Sequence, residues 1–107
     1  AAVETLKALG LYEKIASKIV YGQNVTQTFQ FVDTGNAEIG FVALSQVLSK
    51  DAGQRWIVPA HLYAPIKQDA ILLNRGIANN AARDFMAFLK GPDATRVKEK
   101  FGYGPGE

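Results

Sequence analysis

The sequence predicts an α/β layer fold, in which helices pack on a sheet. Apolar residues at helical spacing alternate along the 107 residues with short runs rich in β-branched and aromatic side chains. The resulting order is helix, strand, helix, three strands and two helices. That order requires at least one parallel crossover connection, so a purely helical bundle is not expected.

The first half of the chain carries one short and one well-marked helix signal. Residues 3–9 have helical apolar spacing that ends at Gly10, and residues 11–15 give a second short turn of helix. The clearer helix follows Asn24, a favoured N-cap residue, with apolar side chains spaced over residues 25–32. Gly35 and the asparagine after it close this helix.

Three more helical segments are predicted further along. Residues 45–48 form a short helical turn. An amphipathic helix capped by Asn79 or Asn80 runs until Gly91 and the proline after it. The last helix covers residues 93–101 and ends at a glycine.

Four runs are predicted as strands because they are rich in residues with high β-propensity. They are residues 18–21, 37–43, 56–58 and 66–73. Residues 37–43 are mainly apolar, which indicates a buried strand. The run at 18–21 stops at Gly22, which predicts a tight turn leading directly into the helix that Asn24 caps.

Composition excludes several classes of protein. The net charge of +2 is small and charges of both signs are interspersed, so no nucleic-acid partner is expected. The absence of cysteine excludes disulfide frameworks and thiol catalysis. No apolar run approaches the roughly 18 residues needed to span a bilayer, so no membrane insertion is expected. The first residues already read as helix interior, which predicts a fragment.

The start of the helix after Asn24 is the strongest candidate for a ligand site. The backbone N–H groups in its first turn lack intrahelical partners, and the positive end of the helix dipole attracts anions. An oxyanion is expected to accept hydrogen bonds from the backbone N–H groups of Val25, Thr26 and Gln27, with help from the Thr26 hydroxyl. The alternative is ordinary capping by Asn24 with nothing bound.

The other polar residues favour no catalytic chemistry. Ser45 follows a predicted strand, where its hydroxyl either donates to the same anion or caps the following turn. No Gly-x-Ser-x-Gly motif surrounds it, and His61 is the sole histidine, so a serine hydrolase is not expected. The acidic residues are scattered without the spacing of a calcium loop, so no metal ligands are expected.

Four segments carry a resemblance to a known family. They are the Leu-Gly-Leu-Tyr of residues 9–12, the Gly-Gln-Asn-Val helix start of residues 22–25, the stretch 34–46 and the Phe-Leu-Lys-Gly-Pro of residues 88–92. In this order they resemble the periplasmic molybdate-binding proteins of ABC transporters. The resemblance covers nearly the whole chain, and the stretch 34–46 is its most specific part.

The resemblance implies part of a bilobed type II periplasmic-binding-protein fold, with helices packed on a mixed sheet. Residues 1–65 would then belong to the second ligand-binding lobe. Residues 66–107 would supply the return crossover strand and the C-terminal helices, which would pack on a first lobe missing from this chain. Partners would therefore be that missing N-terminal half, or a second copy of the fragment through self-association.

The resemblance also implies a function. The chain would be part of a receptor without enzymatic activity or cofactor that binds molybdate or tungstate and delivers it to an ABC transporter permease. It would lie in the periplasm, or be membrane-tethered outside the cytoplasm. The family's ligand contact at this helix start is a backbone N–H that maps onto Val25. Some members carry a ligand-binding tyrosine where this sequence has Ala43, so that donor is absent here.

Two alternative functions remain open. The same fold serves as a ligand-sensing regulatory or interaction module in other proteins, and a sulfate-type anion receptor would use similar donors.

Overall fold

A computed structural model describes residues 1–51 and 53–104 of the chain. The chain divides into two compact units, of which the first is Ala1–Ile66 and the second begins at Lys67. The helices of the first unit are α1 (Ala2–Ala8), α2 (Tyr12–Ile15), α3 (Val25–Asp33) and α4 (Leu44–Val47), with 3-10 turns at Ala16–Lys18 and Ala60–Leu62. The second unit contains a 3-10 turn at Asn74–Gly76, α5 (Asn80–Phe88) and α6 (Pro92–Lys100).

The core of the first unit lies on α1. Thr5 and Leu6 are 1% and 8% exposed, and α1 packs against α2 and against the 3-10 turn at Ala60–Leu62. The Thr5 hydroxyl donates a hydrogen bond to the Ala1 carbonyl at 3.0 Å. Because this donor is paired, burying the threonine side chain does not leave an unsatisfied polar group. Gly10 adopts a φ of 66°, which lets the chain reverse after α1 and place α2 beside it.

The helices predicted from capping signals are confirmed. Asn24 caps α3, and Gly35 takes a φ of 76° just after that helix ends. Of the two candidate caps for α5, Asn79 is the N-cap. Pro92 occupies the first position of α6, where its missing N–H removes a donor that has no helical partner.

The strand predictions are wrong for the described residues, since none of residues 1–51 and 53–104 lies in a β-strand. Extended backbone is present within two of the predicted runs, at Ile19 (φ −76°, ψ 127°) and at Leu73 (φ −69°, ψ 151°). A strand requires a neighbour with which to exchange backbone hydrogen bonds. The β-rich sequence therefore produces extended segments but no ladder in this structure.

Exposure of apolar side chains coincides with these extended segments. Ile39 is 87% exposed, so the prediction of a buried strand at residues 37–43 is wrong, and Ile71 is 83% exposed. Trp56, Ile57 and Ile66 are exposed as well. The apolar side chains that the sequence pattern predicts to be buried on a sheet are therefore exposed.

No helix among the described residues is both long and apolar enough to cross a bilayer.

Candidate functional site

The candidate site is the first turn of α3, which Asn24 fixes with two hydrogen bonds. The backbone of Asn24 is extended (φ −157°, ψ 170°), and its side-chain Oδ1 accepts the N–H of Gln27 at 2.8 Å. The Asn24 carbonyl accepts the N–H of Thr28 at 3.1 Å. These bonds satisfy the N–H groups of the third and fourth helical residues.

Two backbone donors remain at this helix start. Among the described residues, none accepts a hydrogen bond from the N–H of Val25 or of Thr26. Val25 is 53% exposed. Both donors lie at the positive end of a helix of nine residues, where an anion is stabilised by the N–H groups and by the helix dipole.

The hydroxyl of Thr26 adds a third donor. The other threonines each donate to the carbonyl four residues earlier: Thr5 to Ala1, Thr28 to Asn24, Thr34 to Gln30 and Thr95 to Gly91. Thr26 makes no such bond within residues 1–51 and 53–104; the residue four positions before it is Gly22, which lies two positions before the N-cap Asn24. Its hydroxyl therefore remains available to a ligand.

The turn before α3 is held tightly by Gly22, at which the sequence predicts a tight turn, and by Gln27, whose role the sequence analysis did not identify. The Gln27 side-chain Oε1 accepts the N–H of Gln23 at 2.7 Å. Gly22 packs so closely that a Cβ added there would lie 2.4 Å from the Thr28 Oγ1 and 2.9 Å from the Thr28 backbone nitrogen. The signal for Gln27 was present, since Asn-x-x-Gln at a helix start is typical of a capping box.

Residues 40–43 reach α3 through a second glycine. A Cβ on Gly40 would lie 2.6 Å from Cγ2 of Val32, so the backbone of this segment runs against the side of α3. The segment leads into α4, where Ala43 is the N-cap and its N–H donates to Oε1 of Gln46 at 3.1 Å. Nothing larger than glycine fits at residue 40 without moving that contact.

Ser45 does not cap α4. It is the second residue of that helix and half-buried, so the expectation that it caps the turn is wrong. The structure thus places Asn24, Val25 and Thr26 together in one turn, and Ser45 in a separate short helix. A role for Ser45 in anion binding stays a prediction.

Charged side chains lie at the opposite end of α3. The Lys50 ammonium is 3.7 Å from the Asp33 carboxylate and 4.5 Å from the centre of the Phe29 ring. Asp33 is unfavourable at the negative end of the helix dipole, and Lys50 offsets its charge. The donors available at the first turn are therefore neutral dipoles.

Metal coordination finds no support in the described residues. Nowhere in residues 1–51 and 53–104 do three His, Cys, Asp or Glu side chains lie together in a way that would hold a metal ion. His61 lies exposed in the 3-10 turn Ala60–Leu62. The first turn of α3 can bind an anion through N–H and O–H groups, and nothing in its composition activates a nucleophile.

Comparison with known proteins identifies a family. Residues 1–104 match the family model described as bacterial extracellular solute-binding protein. The chain is 53% identical over 108 residues to the molybdate-binding protein ModA of Azotobacter vinelandii, covering 97% of this chain and 42% of that protein. It is 48% identical over 103 residues to the molybdate-binding protein ModA of Rhodobacter capsulatus, covering 96% of this chain and 41% of that protein.

A solved structure matches the fold. The periplasmic molybdate-binding protein of Azotobacter vinelandii superposes with a TM-score of 0.86 at 33% sequence identity, covering 100% of this chain and 48% of that chain. The chain therefore has part of a periplasmic-binding-protein fold, and it spans less than half the length of the relatives it matches.

Proposed function

The chain belongs to the bacterial extracellular solute-binding protein family, and from that premise we propose that it is part of a receptor that binds molybdate or tungstate and delivers the anion to an ABC importer. The family consists of solute-binding proteins, in agreement with the prediction of a binding function without catalysis. Its extracellular description also agrees with the predicted location outside the cytoplasm.

The similarity to two molybdate-binding proteins carries this proposal. About half of the residues are identical to each of them over nearly the entire chain. None of these relatives is named as a regulator, so the alternative of a ligand-sensing regulatory module receives no support from them. Because the chain covers about two fifths of each relative, the function of the whole protein is an inference from its part.

The geometry of the α3 start suits a tetrahedral oxyanion. In this proposal Val25 and Thr26 donate their backbone N–H groups, the Thr26 hydroxyl donates a third bond, and Asn24 holds the turn in place. Fixed neutral dipoles stabilise a buried dianion without reorganising when it binds. Ser45 is a further candidate donor, from the segment that Gly40 places against α3.

The size of the anion would determine which oxyanion the site selects. Donors held at fixed positions form hydrogen bonds of good length with an anion of one size and poorer bonds with a smaller one, such as sulfate. A donor that fails to reach leaves a charged oxygen unpaired, which costs about 1–3 kcal/mol or more. The absence of a side-chain donor at Ala43 places more of this task on the α3 start.

The extended segments fit the architecture that the resemblance implies. We infer that residues 1–65 belong to one lobe of a bilobed receptor, and that residues 66–107 lead back to and pack on the other. On this view the runs at 18–21, 37–43, 56–58 and 66–73 become strands of a mixed sheet when backbone partners are present. The exposed apolar side chains of those runs support the inference.

The function is tested by calorimetric titration of the full-length protein with molybdate, tungstate, sulfate and phosphate. We expect molybdate and tungstate to bind at least about a hundredfold more tightly than the other two anions, since a single misplaced charged hydrogen bond accounts for roughly that ratio. Equal affinity for sulfate or phosphate would reject the specificity and leave a general anion receptor. No binding of any of the four would reject the proposal.

The partner prediction is tested on the 107-residue chain alone by light scattering over a concentration series. Exposed Phe85, Phe88, Val97 and Phe101 on α5 and α6 predict self-association, or association with the other half of the protein when that half is added. A compact monomer at all concentrations, unchanged by the added half, would contradict the placement of these helices on another lobe.

A further inference from the structure

The first unit contains a side-chain hydrogen bond that joins residues far apart in sequence. The carboxylate Oε2 of Glu4, on α1, accepts the backbone N–H of Ala64 at 2.7 Å, across sixty positions. The capping bonds at the start of α3 span three or four positions. This bond therefore fixes tertiary structure, whereas the capping bonds stabilise only their own helix.

Ala64 lies where the chain leaves the first unit. The boundary between the two units falls after Ile66, two residues further on. Tyr63 is extended (φ −151°, ψ 158°), and Pro65 has no N–H to donate while restricting Ala64 to an extended backbone. The N–H of Ala64 is therefore the last backbone donor before Ile66 that can form a hydrogen bond to the first unit.

Glu4 offers that donor a fixed acceptor. Its neighbours Thr5 and Leu6 form the buried core of the first unit, so α1 is the element least free to move there. Contacts between α1 and the 3-10 turn Ala60–Leu62 bring the exit segment alongside. A bond from a backbone N–H to an ionised carboxylate is shorter and stronger than one between neutral groups.

We propose that Glu4 is an anchor that holds Ala64 on α1 and so fixes the point at which the chain leaves the first unit. The anchor is a positioning element and does not itself contact ligand. It stands on the structure of the first unit and does not require the proposed anion specificity.

The charge of Glu4 matters to the anchor. The Ala64 N–H lowers the pKa of the Glu4 carboxyl from its ordinary value. The elements packed against α1 carry Tyr12, Glu13, Lys14 and His61, and no ion pair joins any of them to Glu4 in the described structure. The anchor is therefore complete above the carboxyl's ordinary pKa of about 4.3 and weakens as the pH falls through the lowered value.

Amide hydrogen exchange of Ala64 in the full-length protein tests the anchor. Glu4→Ala is expected to raise the exchange rate of the Ala64 N–H about three- to tenfold, a range discounted for the exposure of the carboxylate. Glu4→Gln keeps an oxygen acceptor and is expected to restore most of the protection. Glu13→Ala removes a carboxylate from the neighbouring α2 and is the matched control, with no change expected.

The pH profile separates an anchor from a general effect on folding. In the wild type, Ala64 protection corrected for the intrinsic exchange rate is expected to fall as Glu4 is protonated, while Glu4→Gln gives a flat profile over the same range. Should Glu4→Ala fail to fold, this comparison decides alone. Unchanged Ala64 exchange in Glu4→Ala, or the same pH profile in wild type and Glu4→Gln, would overturn the proposal while leaving the anion-binding proposal unaffected.

Discussion

The starts of α3 and α5 share a capping residue and differ in what surrounds it. Each helix has nine residues and an asparagine N-cap, whose Oδ1 accepts the N–H of the third helical residue at 2.8 Å for α3 and 3.2 Å for α5. At α3 the preceding turn is closed by Gly22 and the Gln27 side chain. At α5 the chain arrives from the 3-10 turn Asn74–Gly76.

The two starts also differ in their donors. Thr26 gives α3 a hydroxyl at its second position, where α5 has Ala81. The Asn80 side-chain Oδ1 at the first position of α5 accepts a bond from the Arg83 guanidinium. Capping therefore stabilises both helices, but only α3 combines available N–H groups, a hydroxyl and a rigid turn. These differences distinguish the proposed site at α3 from the start of α5.

Replacing Val25 with proline is the change from which we expect the largest effect on molybdate binding. The change removes one N–H from the first helical position, where proline is tolerated in α6 of this same chain. Loss of a hydrogen bond to a charged ligand should weaken molybdate binding by the full-length protein about ten- to a hundredfold, with little loss of stability. Isothermal titration calorimetry and thermal unfolding measure the two effects.

Asn80→Pro is the matched control, because it removes the N–H at the same position of α5. It should leave molybdate affinity unchanged. Wild-type affinity in Val25→Pro would show that this N–H is not a ligand and that α3 and α5 begin in equivalent ways.

Replacing Gly22 with alanine tests the rigid turn. The new Cβ would lie 2.4 Å from the Thr28 Oγ1 and 2.9 Å from the Thr28 nitrogen, so backbone must shift. We expect a loss of about 1–3 kcal/mol of stability, measured by chemical denaturation, together with weaker molybdate binding. Gly76→Ala, which would meet the flexible Leu72 side chain at 3.1 Å, should cost less and leave binding unchanged. Equal losses of stability and affinity in the two variants would contradict the conclusion that the turn before α3 is packed more closely than the turn at Gly76.

The smallest predicted effect compares the two caps directly. Asn24→Ala and Asn79→Ala should each lower the free energy of unfolding by about 1 kcal/mol, because each leaves one helical N–H without its side-chain partner. Only Asn24→Ala should also weaken molybdate binding, by less than about tenfold, since the turn that presents Val25 is loosened. Denaturation and calorimetry on both variants check this, and a fall in affinity with Asn79→Ala would mean that capping acts on binding through general stability.

Local sequence signals predicted the helices well. Asn24, Asn79 and Pro92 specify their helix starts through interactions within one turn, and Gly35 ends α3 through its own backbone freedom. Such signals depend on residues three or four positions apart, so the sequence contains them completely. The α3 start was predicted as the candidate site for the same reason.

The sequence pattern does not predict contacts between separate segments of the chain. The runs at 37–43 and 56–58 have the composition of strands, but a ladder depends on a partner that composition does not reveal. Packing of Gly22 and Gly40 against α3, and the bond from Ala64 to Glu4, likewise join residues whose proximity only the fold determines. Ser45 is not a cap because α4 begins at Leu44, one residue before it, so that Ala43 occupies the N-cap position.

The central claim is that the first turn of α3 contacts the anion through its backbone. Titration of the ¹⁵N-labelled full-length protein with molybdate, followed by amide NMR, tests it directly. We expect large shifts of the Val25 and Thr26 amide signals that saturate with the calorimetric affinity, while the Asn80 and Ala81 signals at the start of α5 stay in place. Saturable binding with unmoved Val25 and Thr26 signals, or with equal shifts at both helix starts, would contradict it.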